Sequence, residues 1–277
     1  MVSRFFSSLL PVRVTVAYAV TLLLIATVLL ALGPHVQDSV IDQLSTNLHN
    51  LEHGHLGTLL GSAFVTADGP IYILLPGLVC LLALAELLWC SRRLVQAFVL
   101  GHIGATLVVA VGLAAAIKFG WLPTSIAGST DVGLSYGAVA VLGTLTAALP
   151  PRFRPAWIGW WIAVALAIVA SGADFTAAGH TVALMLGMLL STQFRPPTRW
   201  TAARLALLAG GIGFGFLMIV GVLLPAAPVA AAAGVVVSSV AHGAARLWSS
   251  SRPSHGAGRS QSDAASSPEV APGAVGR

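Results

Sequence analysis

Residues 70–118 read PIYILLPGLVCLLALAELLWCSRRLVQAFVLGHIGATLVVAVGLAAAIK. Two apolar runs, roughly 70–89 and 94–117, flank the basic stretch Cys90-Ser91-Arg92-Arg93. A helical run of about twenty residues covers the ~30 Å hydrocarbon core of a bilayer. Inside lipid each backbone amide has to bond within its own segment, so helices are expected and open strands are not. The stretch therefore predicts a hairpin of two membrane-crossing helices whose Arg-bearing turn stays on the cytoplasmic side.

The same pattern extends both ways along the chain. Six further runs are drawn at roughly 14–33, 133–149, 155–171, 175–192, 201–224 and 226–245. The last is Ala/Val-rich and follows Pro225 and Pro228, which leaves a re-entrant or interfacial helix as its alternative. Composition agrees with the spans: 57% of the residues are apolar and 8% charged, and mean hydropathy is +0.90. A soluble domain carries about 25% charged residues because its surface meets water. The expected fold is an all-α, polytopic membrane helix bundle.

The charges supply an independent test. Arg4 and Arg13 precede the first run, Arg92 and Arg93 follow the second, and Arg152 and Arg154 follow the fourth. Arg195, Arg199 and Arg204 join the sixth to the seventh, and Arg246, Arg252, Arg259 and Arg277 follow the eighth. Of all Lys and Arg residues, only Lys118 falls on the opposite set of connections. Asp38, Asp42, Glu52, Asp68, Asp131 and Asp174 fall on that opposite set too. Retention of basic loops then predicts eight spans across the cell membrane with both termini in the cytoplasm. The first run exceeds a typical signal-peptide core and ends at Pro34, so it is read as an uncleaved helix.

Between the first two spans, residues 34–69 form a long external loop. Val36, Val40, Ile41, Leu44, Leu48 and Leu51 recur at helical spacing, as in an amphipathic helix lying on the membrane. The tail from Ser249 to Arg277 is Ser/Gly/Pro/Ala-rich and is expected to be disordered. Cys80 and Cys90 do not make a disulfide framework. No basic face or reading motif for nucleic acid is found, and no cofactor is called for. Membrane lipids are the expected partners.

Ionisable or nucleophilic groups inside a span are functional candidates by default. Ser135, in Gly133-Leu134-Ser135-Tyr136-Gly137, lies four residues past Asp131, roughly 6 Å below the external boundary. His180, in Gly179-His180-Thr181, lies roughly 9 Å below it. The two could meet in one layer, where an imidazole can take the proton of a serine hydroxyl and later return it to a leaving amine. Unpaired N–H groups at a helix start would stabilise an oxyanion, and Gly133 and Gly137 leave room for a neighbouring backbone. The bland readings are a serine bonded one turn back and a packing histidine.

Over roughly residues 14–192 the chain resembles the rhomboid intramembrane serine proteases. Gly133-Leu134-Ser135 matches the start of their G-x-S-G motif on the fourth helix, and His180 with Gly187 matches their His and Gly on the sixth. Leu56-Gly57-Thr58-Leu59-Leu60-Gly61-Ser62-Ala63-Phe64 is similar to their external loop. The resemblance implies a six-helix core over 14–192, followed by two added helices within 193–248. It implies Ser135 as nucleophile and His180 as base, with Gly133, Leu134, Tyr136 and Gly137 supporting the oxyanion. Substrates would be single-span membrane proteins cut near the external face.

The departures are Tyr136 before Gly137, Ala183 where the family has Gly, and Ile71 and Leu75 where it has an oxyanion-hole His and Asn. They leave open a pseudoprotease that binds or chaperones membrane helices, and a small-solute transporter as a weaker third reading. His49-Asn50-Leu51-Glu52-His53 spells a zinc-type motif, but Gly54 interrupts it and a solvated face is the expected reading, with no metal. His102 is expected to be structural and far below the Ser/His layer. Glu86 is expected to pair with Arg92 or Arg93.

Overall fold

The computed structural model describes residues 10–66, 71–172, 174–197, 199–221 and 223–250. Arg4, Asp68, Arg252, Arg259, Arg277 and the tail from residue 251 onward lie outside the described residues. The described part is an all-α bundle. Its elements are α1 (Arg13–Leu32), α2 (Pro34–Leu44), α3 (Leu48–Glu52), α4 (Thr58–Gly61) and α5 (Ile71–Lys118). There follow α6 (Ser135–Thr144), α7 (Arg154–Ala170), α8 (Phe175–Ser191), α9 (Ala202–Val220) and α10 (Ala227–Ser250).

Five helical stretches among the described residues are long and apolar enough to cross a membrane: α1, α5, α9, Pro151–Ala170 and Leu224–Trp248. α5 has 48 residues, which as a straight rod would reach roughly 72 Å, more than twice the hydrocarbon thickness. It does not run straight. Cys90 has φ 73° and ψ 162°, and the chain folds back there into arms 71–89 and 91–118. Leu82 and Phe98, eight residues either side of Cys90, line one cavity. The hairpin expected from 70–118 is thus present as two arms. α10 is a full-length helix packed along α7, with Gly234 against Trp160 and Gly159 against Val237.

α6 and α8 are shorter apolar helices, and α6 is the centre of the bundle. Tyr136 to Leu145 are all buried, as expected for an apolar helix of 10–14 residues enclosed by others. Glycine sets the spacing around it. A Cβ on Gly187 would collide with the Ala140 carbonyl oxygen, one on Gly143 with the Leu184 carbonyl, and one on Gly101 with the Ala140 methyl. Backbones of α6, α8 and the second arm of α5 are therefore in near contact, as small residues permit in membrane bundles. On the opposite flank Gly210 meets Cys80, Gly211 meets Leu81 and Gly215 meets Leu142. Gly213, on the same helix, has nothing within 4 Å of its Cβ position.

At the Cys90 end, Glu86 departs from expectation. Its buried carboxylate accepts from the backbone N–H of Val14 (3.0 Å) and Thr15 (2.8 Å), the Thr15 hydroxyl (2.7 Å) and the Ser91 hydroxyl (2.6 Å). Among the described residues it binds no arginine. The unpaired amides of the first turn of α1 attract a carboxylate more strongly at this buried depth than a mobile guanidinium does.

Candidate Ser/His site

The approach to α6 is built by the long loop. Thr46 donates to the Asp131 carbonyl from both its N–H (2.9 Å) and its hydroxyl (2.9 Å), and the Asp131 N–H donates to the Ser45 hydroxyl (2.9 Å). Two residues on, the Gly133 N–H donates to the Ser62 carbonyl (2.9 Å). Gly133 has φ 130°, a conformation that strains any residue with a Cβ. Its use is conformational. Only Ser135 atoms lie within 4 Å of its Cβ position, so no neighbouring helix uses the space beside it, whereas Gly137 makes room for the ring of Phe98.

Leu134 is the N-cap of α6 and supplies no side-chain cap. Ser135 is the first helical residue, half-buried. The first hydrogen bond of the helix runs from Ala138 N–H to the Leu134 carbonyl (3.0 Å), so the amides of Ser135, Tyr136 and Gly137 have no acceptor within the helix. The lead-in before Ser135 is not helical, so its depth follows from the loop path and not from four helical rises.

α8 starts where Asp174 caps it, its carboxylate oxygen accepting from Thr176 N–H at 3.0 Å. His180 follows five residues into the helix, about 8 Å along its axis. It is buried, and its Nε2 has no hydrogen-bond partner. Tyr136, the residue after Ser135, links the two helices: its ring rests on Gly179 and stands edge-on to the His180 imidazole, ring centroids 5.4 Å apart. Ser135 and His180 thus flank one helix contact, while among the described residues no hydrogen bond joins them. The Tyr136 hydroxyl is buried without a hydrogen-bond partner.

His102 departs from its expected place. The loop dips into the bundle, so that Ser62 Oγ lies 3.1 Å from His102 Nε2, both groups buried. The ring of His102 lies 6.5 Å from that of Tyr136, and Phe98 continues the series at 6.3 Å. A chain of rings therefore runs from Phe98 through His102 and Tyr136 to His180. Ser62 joins it to the α6 lead-in, because its hydroxyl meets His102 and its carbonyl holds Gly133. Sequence reasoning missed Ser45, Thr46 and Ser62; the only signal was the loop stretch 56–64, which carries Ser62.

Asp131 stands half-buried at the rim. Burial pushes its carboxyl up to about 6, the nearby Tyr136 hydroxyl draws it down, and the Asp174 carboxylate raises it further. Elsewhere Ile71 is buried and Leu75 packs against the core, so neither offers a donor. His53 Nδ1 lies 2.7 Å from the His49 carbonyl, and the two rings are 4.4 Å apart. No group of three or more His, Cys, Asp or Glu that could hold a metal occurs among the described residues.

Residues 12–198 match the family model described as rhomboid-like protein. No curated protein and no solved structure matches the chain.

Proposed function

The chain belongs to the rhomboid-like protein family, and from that premise we propose that it is an intramembrane serine protease of the cell membrane, with Ser135 as nucleophile and His180 as base. The observation that carries the reading is the buried, unpartnered Nε2 of His180 on the helix packed against an uncapped α6 whose first residue is a serine. His180 Nε2 takes the Ser135 proton as the hydroxyl attacks a peptide carbonyl of a single-span substrate. The amides of Ser135, Tyr136 and Gly137 receive the oxyanion. The imidazolium then protonates the leaving amine, and a water repeats the sequence to release the acyl group. No hydrogen bond joins the hydroxyl and imidazole among the described residues, and catalytic hydrogen bonds of this kind tighten when substrate is bound.

The membrane orientation that goes with this reading puts both termini and the Cys90 turn in the cytoplasm, and Ser135 near the external face. A second reading is a family member that holds membrane helices without cutting them. Ile71 and Leu75 favour it, because they put hydrocarbon where the family resemblance implies donors, and one such donor is worth about 10²–10³ in rate.

A fluorophosphonate probe applied to the detergent-purified chain separates the two. The protease reading expects labelling of the parent that is lost in both Ser135→Ala and His180→Ala. An unlabelled parent supports the helix-holding reading, and labelling that survives Ser135→Ala rules out Ser135 as nucleophile.

A further inference from the structure

A cavity of about 240 Å³ lies between α1, both arms of α5 and the loop. Val14, Tyr18, Leu82, Leu94, Phe98 and His102 form its walls. It is larger than the ~150 Å³ apolar cavity that takes up benzene. Leu60 and Val95, also in its lining, are 54% and 43% exposed, so it opens on the lipid-facing surface of spanning helices. From Leu94 to His102 it extends roughly 12 Å along the second arm of α5. His102, held by Ser62, closes the far end.

The near end is cationic. Val14 N–H and Ser91 Oγ both donate to the same oxygen of Glu86, at 3.0 and 2.6 Å. That shared acceptor brings Arg13, one residue before Val14, and Arg92, one residue after Ser91, to one corner of the bundle. Both are exposed, and no salt bridge engages either among the described residues. Arg93 is turned elsewhere, its guanidinium 5.3 Å from the centre of the Phe194 ring. An apolar slot that opens to hydrocarbon and ends near the corner that carries Arg13 and Arg92 has the shape and charge of a phospholipid.

We propose that this cavity holds one acyl chain of an anionic phospholipid, with the lipid phosphate set against Arg13 and Arg92. A free fatty acid is disfavoured because no cationic side chain lines the cavity to receive its carboxylate. Neither Ser135 nor His180 lines the cavity, so lipid binding and probe labelling at Ser135 are read separately.

The test is lipid binding by the full-length chain in the Ser135→Ala background, read by native mass spectrometry and by thermal shift. The probes are dioleoyl phosphatidylglycerol, dioleoyl phosphatidylcholine, oleate and glycerol phosphate. Phosphatidylglycerol should bind most tightly, and the exposed double variant Arg13→Gln/Arg92→Gln should weaken it roughly 30-fold and weaken phosphatidylcholine, whose choline offsets the phosphate charge, by clearly less. Val99→Trp, which fills the cavity, should abolish the tight binding; Val95→Trp at the mouth replaces it if the first variant does not fold. Equal binding of the two phospholipids, or no effect of the arginines, overturns the proposal. Oleate binding as tight as phosphatidylglycerol assigns the slot to a free acid and overturns the phospholipid. Glycerol phosphate binding as tight shows that the acyl chain contributes nothing, and overturns it as well.

Discussion

At the scale of single residues, several side chains act through partners that spacing does not announce. Ser62 is completely buried in a loop, bonded through its hydroxyl to His102 and through its carbonyl to Gly133. Asp131 is gripped by its backbone while its carboxyl is held at about 6 from an ordinary 3.8, chiefly by burial. A raised carboxyl binds its proton more tightly in the folded than in the unfolded chain. Its stabilising contribution is complete below pH about 4 and is lost as pH rises through about 6. The melting temperature of the parent should therefore fall more between pH 4.5 and 7 than that of Asp131→Asn, by differential scanning fluorimetry in detergent. Parallel pH profiles for the two proteins would remove Asp131 as the titrating group. Ser135 and His180 could be picked out of the sequence as polar groups in apolar runs, but the ring of Tyr136 against His180 could not. Nothing in residue spacing says which way a side chain turns between two helices.

At the scale of elements, helix starts and helix contacts carry the organisation. α1 has no N-cap of its own, since Val12 provides no side-chain bond; Glu86 from α5 supplies the carboxylate instead. Glu86→Gln keeps the shape but removes the charge and turns an N–H₂ toward some of the four donors. Charge-assisted hydrogen bonds contribute about 1.5–3 kcal/mol each, with neutral ones near 1, so a loss on the order of 2 kcal/mol is expected. Unfolding followed by circular dichroism in mixed micelles measures it, and a variant within 0.5 kcal/mol of the parent, roughly the spread of surface substitutions, would show that the cap is unimportant. The sequence shows Glu86 near a basic turn, and pairing with Arg92 or Arg93 was the local expectation. The partner is 71 residues away in sequence, on a helix that only the folded hairpin brings close. The glycines behave likewise. Gly187 and Gly143 are visible as small residues on apolar helices, yet which backbone each one touches depends on how α6 and α8 cross.

At the scale of the whole molecule, the alternation of basic and acidic connections predicts one orientation for the bundle. Cys90, exposed at the fold-back of α5, is a natural reporter. In a Cys80→Ser background, a membrane-impermeant maleimide should leave Cys90 unlabelled on intact cells and label it once the membrane is permeabilised. Labelling of intact cells would invert the topology and carry Ser135 to the cytoplasmic side.

What the chain alone determined is its class and its order: apolar runs of spanning length, basic connections between them, and a serine and a histidine at the heads of the fourth and sixth runs. Those properties follow from local composition, because lipid solvation acts on each segment by itself. Tertiary structure decided that α6 begins inside the bundle, that the loop dips to give His102 a serine, that Glu86 caps a distant helix, and that Tyr136 stands beside His180. Each of these is a contact between segments far apart in sequence, and its energy exists only after close-packed helices have excluded the alternatives.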